Sequence, residues 1–160
     1  MNSLPSTPSQ VILRDVVESD LPIFYAHQLA PEATQMAAFP SRNEADFMAH
    51  WHKILRDPAN INQTILFDNH VAGNIACFLM GDEREIGYWI GKEYWGKGIA
   101  THALCSFLTQ IPARPLYAHV AKHNIASRRV LGKCGFVVTG EDSYTPPGGT
   151  FVEEFTLKLD

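Results

Sequence analysis

The chain has no apolar run long enough to cross a bilayer. Its first ten residues, MNSLPSTPSQ, hold neither the basic nor the apolar stretch of a secretory leader, so a cytoplasmic protein with no membrane contact is expected. Cysteine is scarce. Cys77, Cys105 and Cys134 are odd in number, widely spaced and set among apolar residues, which reads as reduced core thiols and not as a disulfide framework. Positive charge is not in excess: 13 Lys and Arg face 17 Asp and Glu, for a formal net charge of −4. That argues against a dedicated nucleic-acid binder and tilts the choice of partner toward basic or amine-bearing molecules. Internal repeats, linkers and low-complexity segments are missing too. What is present is core material. Hydrophobic residues make up 46% and aromatics 11% of 160 residues, enough for one domain that needs neither metal nor disulfide to fold.

Ser, Thr and two prolines in residues 1–10 predict a flexible N-terminal tail, leaving residues 11–160 as a single domain. Val11 to Asp15 reads as a strand. Ser19 is placed to cap a helix beginning at Asp20, with Pro22 in its first turn, where a missing N–H does no harm. Pro31 to Pro40 reads as a break between helices. From Asn43 the apolar residues Phe47, Met48, Trp51, Ile54 and Leu55 form one stripe of period 3.6, with Glu44 and Asp46 in the first turn and Pro58 beyond the end. Three strands follow: Gln63 to Phe67, Val71 to Met80 after a turn at Asp68-Asn69, and Glu85 to Ile90. After Gly98 the period becomes helical again until Pro112. Leu116 to Val120 is a strand, and a short helix runs from Asn124 to Gly135. Phe136 to Thr139 and Phe151 to Leu159 close the chain as strands around a Pro-Pro-Gly-Gly loop. The fold class is therefore mixed α/β, a meander that turns into a β-α-β crossover halfway along.

Glu85 to Thr101, EIGYWIGKEYWGKGIAT, runs from a strand through a glycine-containing loop into an amphipathic helix. Gly96 and Gly98 allow close approach of a ligand and positive φ. The first N–H groups of a helix have no internal partner and sit at the positive end of its dipole, so a pyrophosphate suits the position. Taken alone, G-x-G reads more readily as a plain helix-starting turn with two glycines. Neither common nucleotide fingerprint is met: GxxxxGK[ST] is absent, and Thr101 stands where G-x-G-x-x-G needs its third glycine. An ATP-dependent enzyme is disfavoured on that ground. The second stretch, Asn124 to Phe136 (NIASRRVLGKCGF), reads by itself as an N-cap, a short helix and a glycine stop.

Together, in this order and separated by a helix and a strand, the two stretches resemble the GCN5-related N-acetyltransferase (GNAT) superfamily. Within it they look most like the RimJ/RimL-type ribosomal-protein N-terminal acetyltransferase branch, which carries a YWGKGxAT-like loop and an NxxSxRVLxKxGF-like helix. The motifs cover Glu85 to Phe136, and the element order covers the chain after its tail. The resemblance implies an N-acetyltransferase that uses acetyl-CoA as co-substrate and no metal, with a primary amine as acceptor. Gly96, Lys97, Gly98, Ile99, Ala100 and Thr101 would present amides to the CoA pyrophosphate. The backbone of Tyr88, Trp89 and Ile90 would pair with the pantetheine arm. Asn124 would bond the pantetheine or acetyl end, and Ser127 would lie near the thioester sulfur. Glu85 would deprotonate the amine, often through water. Its plain alternative is a solvated strand-end carboxylate beside Asp82, Glu83 and Arg84.

Two positions depart from the superfamily. Trp95 stands where Gln or Arg is frequent, and Leu131 stands where many relatives place the tyrosine that protonates the departing thiolate. That role is left vacant or to Ser127 or water. His50, His52, His119 and His123 are read as structural or surface residues. The stripe that carries Cys134 faces the core, and no neighbouring cation in sequence obviously lowers its pKa, which argues against an acyl-cysteine route. Tyr144 and the Pro146 to Gly149 loop match the part of relatives that shapes the acceptor pocket, though such a loop is also an ordinary hairpin connection. The expected acceptor is the α-amine of a protein or peptide, with a small-molecule amine as the alternative. A non-catalytic acyl-CoA-binding module is the competing class. The resemblance leaves monomer and homodimer equally open.

Overall fold

The computed structural model describes residues 10–38 and 40–160. The expected tail, residues 1–9, lies outside the described residues. Gln10 is described, and its backbone exchanges hydrogen bonds with Asp68, the amide reaching Oδ1 at 2.8 Å and the carbonyl accepting from the Asp68 amide at 3.0 Å.

In chain order the elements are β1 (Val11–Asp15), α1 (Leu21–Gln28), α2 (Pro31–Ala37), α3 (Glu44–Arg56), β2 (Ile61–Phe67), β3 (His70–Met80), β4 (Glu83–Ile90), α4 (Ile99–Leu108), β5 (Leu116–Ala121), α5 (Ile125–Lys133), β6 (Val137–Tyr144) and β7 (Val152–Leu159). Short 3₁₀ turns sit at Glu18–Asp20 and Lys92–Tyr94. The strands form one sheet of order β1-β2-β3-β4-β5-β7-β6. Every neighbouring pair is antiparallel except β4 and β5, which are parallel and joined by the α4 crossover. The mixed α/β class expected from the sequence is the one observed.

Local chemistry explains the hairpins. Asp68 and Asn69 both take positive φ (48° and 68°), the two-residue turn whose twist suits paired strands. Each face of the sheet then buries its own core. On one side Ile65, Ile75, Ile86, Leu116, Ala118 and Val120 pack against Ile99, Ala103, Leu104 and Phe107 of α4. On the other side Leu21 and Phe24 of α1 pack against Phe47 and Trp51 of α3, with the Phe24 and Trp51 rings 5.0 Å apart. The α3 stripe thus buries its aromatic members, each worth roughly 1.5–3 kcal/mol. Asn43 caps that helix, its side chain accepting from the Asp46 amide at 2.8 Å.

Four expectations need correction. The Pro31 to Pro40 segment holds a helix, because Pro31 sits at its first position, where proline costs nothing, and Ala38 (φ 55°) ends it before Pro40. Ser19 caps nothing, since Glu18–Asp20 form a 3₁₀ turn. There the buried Asp20 carboxylate collects Arg14 (2.6 and 2.8 Å), the Thr64 hydroxyl (2.6 Å) and the Val17 amide (3.0 Å). The strand after α5 runs to Tyr144, well past Thr139, because it pairs with β7 as far as Val152. Of the three cysteines only Cys77 is a core thiol. Cys105 is exposed and Cys134 half-buried.

Candidate active site

The sheet opens at its centre. Strands β4 and β5 pair only at Arg84↔Leu116 and Glu85↔Tyr117. Beyond that point β4 stays bonded to β3 as far as Ile90, and β5 stays bonded to β7 as far as Ala121. The inner edges of residues 86–90 and 118–121 therefore face each other without ladder bonds. Unpaired backbone of this kind is a template for another extended chain.

The far side of the gap is closed by the start of α4. Gly98 precedes its first residue with φ 75°, and Gly96 has φ 76°. A Cβ at Gly96 would meet nothing within 4 Å, and one at Gly98 would come only to 3.9 Å from His102 Cδ2. Backbone conformation, not crowding by the protein, thus requires glycine at both places, and space is left in front of the helix. A cavity of about 390 Å³ lies there. Gly96, Gly98, Ile99, Ala100 and Thr101 line it from the loop, Tyr88, Trp89 and Ile90 from β4, and Asn124 and Ser127 from α5. Lys97 is exposed and is not part of this lining. Ala33, Met36 and Ala37 of α2 close one wall, so the helix hidden from a reading of its prolines belongs to the site. Trp95 turns its indole N–H to the Ile90 carbonyl at 2.9 Å and so anchors the loop to the strand. The Trp89 indole N–H is buried and has no partner.

At the α5 end, Asn124 is the N-cap, its Oδ1 accepting from the Ser127 amide at 3.2 Å. The Ser127 hydroxyl lies 2.6 Å from the Tyr88 hydroxyl. Burial pushes the Tyr88 phenol up to about 12, against the hydrogen bond from Ser127, which lowers it. It therefore keeps its proton across the neutral range. Tyr88 enters the sequence reading through its backbone alone, and its side chain is a functional group that reading missed. Alternation along β4 puts Tyr88 with Ile86 and Ile90 on the α4–α5 face, which is the signal that could have found it. Leu131 is 2% exposed and belongs to the core, so it offers the cavity no proton.

Glu85 sits at the apex of the gap, on the opposite face of β4. The strand begins two residues before it, and the carboxylate is 2% exposed, so the solvated strand-end alternative is wrong. Its Oε2 meets His119 Nδ1 at 2.9 Å, and its Oε1 is buried without a partner. Burial raises the Glu85 pKa, and His119 opposes the rise by charge and hydrogen bond. The His119 side chain is 28% exposed and leads outward. Glu154 of β7 joins the group: burial raises its pKa, His119 lowers it, and Asp142 and Glu85 add to the rise. Tyr144 lies beside it, its phenol raised by burial and by Glu154. His119, read from the sequence as structural, is thus in direct contact with the candidate base. The parallel register Glu85↔Tyr117 puts His119 on the same face, and that register is not legible in the sequence. Among the described residues no cluster of three His, Cys, Asp or Glu side chains could hold a metal, and His52 pairs with Glu18 at 2.7 Å.

Similarity to known proteins agrees with this geometry. Residues 10–137 match the acetyltransferase (GNAT) domain family. A curated Bacillus subtilis (strain 168) protein named "Putative ribosomal N-acetyltransferase YdaF" is 31% identical over 98 residues. The match takes in 57% of this chain and 54% of that protein, so it spans about half of the relative's length. Among solved structures, spermidine N-acetyltransferase from Vibrio cholerae in complex with CoA and spermine superposes with TM-score 0.80 at 18% identity, covering 94% of this chain and 95% of that one. Mycobacterium smegmatis RimJ in complex with CoA-disulfide gives TM-score 0.76 at 22% identity, covering 93% and 81%. At those identities the two structures testify to the fold. The family match extends over most of the chain, and the protein belongs to the GNAT acetyltransferase family.

Proposed function

We propose that the protein transfers the acetyl group of acetyl-CoA to a primary amine, and that the acceptor is the α-amine of a protein or peptide. The open gap between β4 and β5 carries this reading, with helix N-terminal amides at one end and a buried carboxylate at its apex. The pieces fit the co-substrate. Amides at the start of α4, from Gly96 to Thr101, suit a pyrophosphate. The free edge at Tyr88, Trp89 and Ile90 suits the amide-bearing pantetheine arm.

In the reaction Glu85 takes a proton from the ammonium, directly or through one water, and the freed amine attacks the thioester carbonyl. Its raised pKa makes it a better base than an ordinary carboxylate, and His119 offers the proton a path to solvent. Backbone N–H groups along the open edge of β4 can stabilise the oxyanion. As the thiolate departs, the Ser127–Tyr88 hydroxyl pair donates a hydrogen bond to sulfur, filling the place that Leu131 cannot. This pair weighs against a module that only binds acyl-CoA.

Acceptor choice follows from proton arithmetic. At pH 7 and ~1.36 kcal/mol per pKa unit, neutralising a lysine costs about 4.6 kcal/mol, against roughly 1 kcal/mol for an α-amine. One buried base with a single histidine partner suits the smaller demand. The name of the Bacillus relative is in keeping with a protein acceptor. A second reading, a polyamine acceptor, draws on a specific observation: Glu85, Glu154 and Asp142 gather carboxylates on one face, which favours a polycation, and the Vibrio cholerae neighbour acetylates spermidine. Competition in one acetyl-CoA reaction decides among an N-terminally free peptide, its N-blocked lysine-containing twin and spermidine. The free peptide should react fastest. A faster spermidine reaction moves the assignment to polyamines, and CoA binding with no transfer to any amine overturns the enzyme.

A further inference from the structure

We propose that Cys105 and Cys134 form a reversible thiol–disulfide site that ties α4 to α5 and weakens binding in the adjacent cofactor cleft when oxidised. The coupling to the cleft rests on the CoA-binding reading above, whereas the redox site itself does not. The two Sγ atoms lie 2.9 Å apart, although the residues are 29 positions apart, one on α4 and the other at the C-cap of α5. A disulfide needs about 2.05 Å, so side-chain rotation and a small approach of the helices close the bond. The pair is not sealed in the core. Cys105 is exposed on the outer side of α4, so a dissolved disulfide reaches it first, while Cys134 is half-buried behind it as the resolving thiol.

The place of the pair makes it consequential. Cys105 is one turn beyond Thr101 on α4, and Cys134 Sγ lies 3.8 Å from the Thr101 carbonyl oxygen. Thr101, Val130 and Lys133 all line the cavity, the last two within four residues of Cys134 on α5. Drawing Cys134 toward Cys105 therefore narrows the cleft between the start of α4 and the end of α5. Cys77 is fully buried on β3, and burial raises its thiol pKa, which makes it an internal control that should not react.

Glutathione disulfide serves as oxidant. The Cys105 thiolate attacks one of its sulfurs, forming a mixed disulfide and releasing one glutathione thiolate. Cys134, having given its proton to solvent, displaces the second glutathione and closes the Cys105–Cys134 bond. Two protein thiols are oxidised, and one glutathione disulfide is reduced to two thiols.

The test compares the reduced and the glutathione-disulfide-treated protein by peptide mass spectrometry and by CoA titration. Joined peptides carrying Cys105 and Cys134, a mass lower by two hydrogens, and a CoA Kd raised at least threefold and restored by dithiothreitol are the expected results. Cys105→Ser and Cys134→Ser should each abolish both the joined peptide and the affinity change. Stable glutathione adducts without joined peptides, pairing with Cys77, or no reaction would overturn the site. Joined peptides with an unchanged Kd would overturn the coupling and leave a mere staple. Failure of the reduced protein to bind CoA would sink the functional reading and the coupling with it, while joined peptides would still establish the redox site.

Discussion

The two halves of the sheet are built under opposite rules. From β1 to β4 the strands are antiparallel and paired along nearly their whole length, with eight paired positions between β3 and β4. Between β4 and β5 only two positions pair, and the rest of each inner edge is left free. The charges follow the same division. Asp20, in the zipped half, has burial against it, yet Arg14, Thr64 and the Val17 amide satisfy it so fully that its pKa falls below the usual carboxylate value. Glu85, at the start of the gap, is equally buried but has one oxygen unpartnered, and its pKa rises. A satisfied buried carboxylate holds structure together. An unsatisfied one beside an open edge is ready to take a proton.

Glu85→Gln should break the comparison most. It removes the base and keeps the shape, so kcat/KM should fall about 100-fold or more while the CoA Kd stays put. Steady-state kinetics alongside calorimetry checks the split, and equal activity across the pH range would return Glu85 to a structural role. Asp20→Asn should act in the other half, costing about 2–3 kcal/mol of stability with no change in CoA affinity, because it leaves Arg14 without its buried partner. The sign of the pH dependence follows from the lowered pKa. The Asp20 contribution is complete above its unfolded pKa near 3.8 and is lost as pH falls through the lower folded value. Urea melts at pH 7 and pH 3 should therefore show wild type and variant converging in acid.

Three smaller effects sharpen the contrast inside the gap. Gly98→Val forces a β-branched residue into φ 75°, so the loop must shift and the CoA Kd should rise roughly tenfold, about 1–2 kcal/mol, with the fold retained. His119→Asn removes the group that lowers the Glu85 pKa. The acid limb of the kcat/KM profile should then move to higher pH, and a limb that stays in place or moves down would separate His119 from the base. Ser127→Ala should cost least, about 0.5–1.5 kcal/mol in kcat/KM, since Tyr88 remains to bond the sulfur.

Much of this was legible in the sequence wherever the signal is local. The stripe from Phe47 to Leu55 with its Asn43 cap, the Asp68-Asn69 turn, and the glycine loop running into α4 each follow from residues within a few positions of one another. Where the structure adds something, the partners are far apart in the chain or the local signal misleads. Prolines at 31 and 40 bracket a helix, because proline at N1 starts one as readily as proline elsewhere stops one. Glu85 and His119 meet across 34 positions, Tyr88 and Ser127 across 39, and Cys105 and Cys134 across 29. No periodicity reports those distances, and only the register of the parallel pair and the crossing of α4 with α5 creates them.

Hydrogen exchange followed by mass spectrometry, with and without saturating CoA, tests the central claim most directly. If the open edges of β4 and β5 receive the pantetheine arm and the α4 amides receive the pyrophosphate, peptides covering residues 86–101 and 118–127 should gain protection on CoA addition. Peptides from β2 and β3, already paired on both sides, should exchange alike in both states. CoA binding that protected some other surface and left residues 86–101 unchanged would contradict the account.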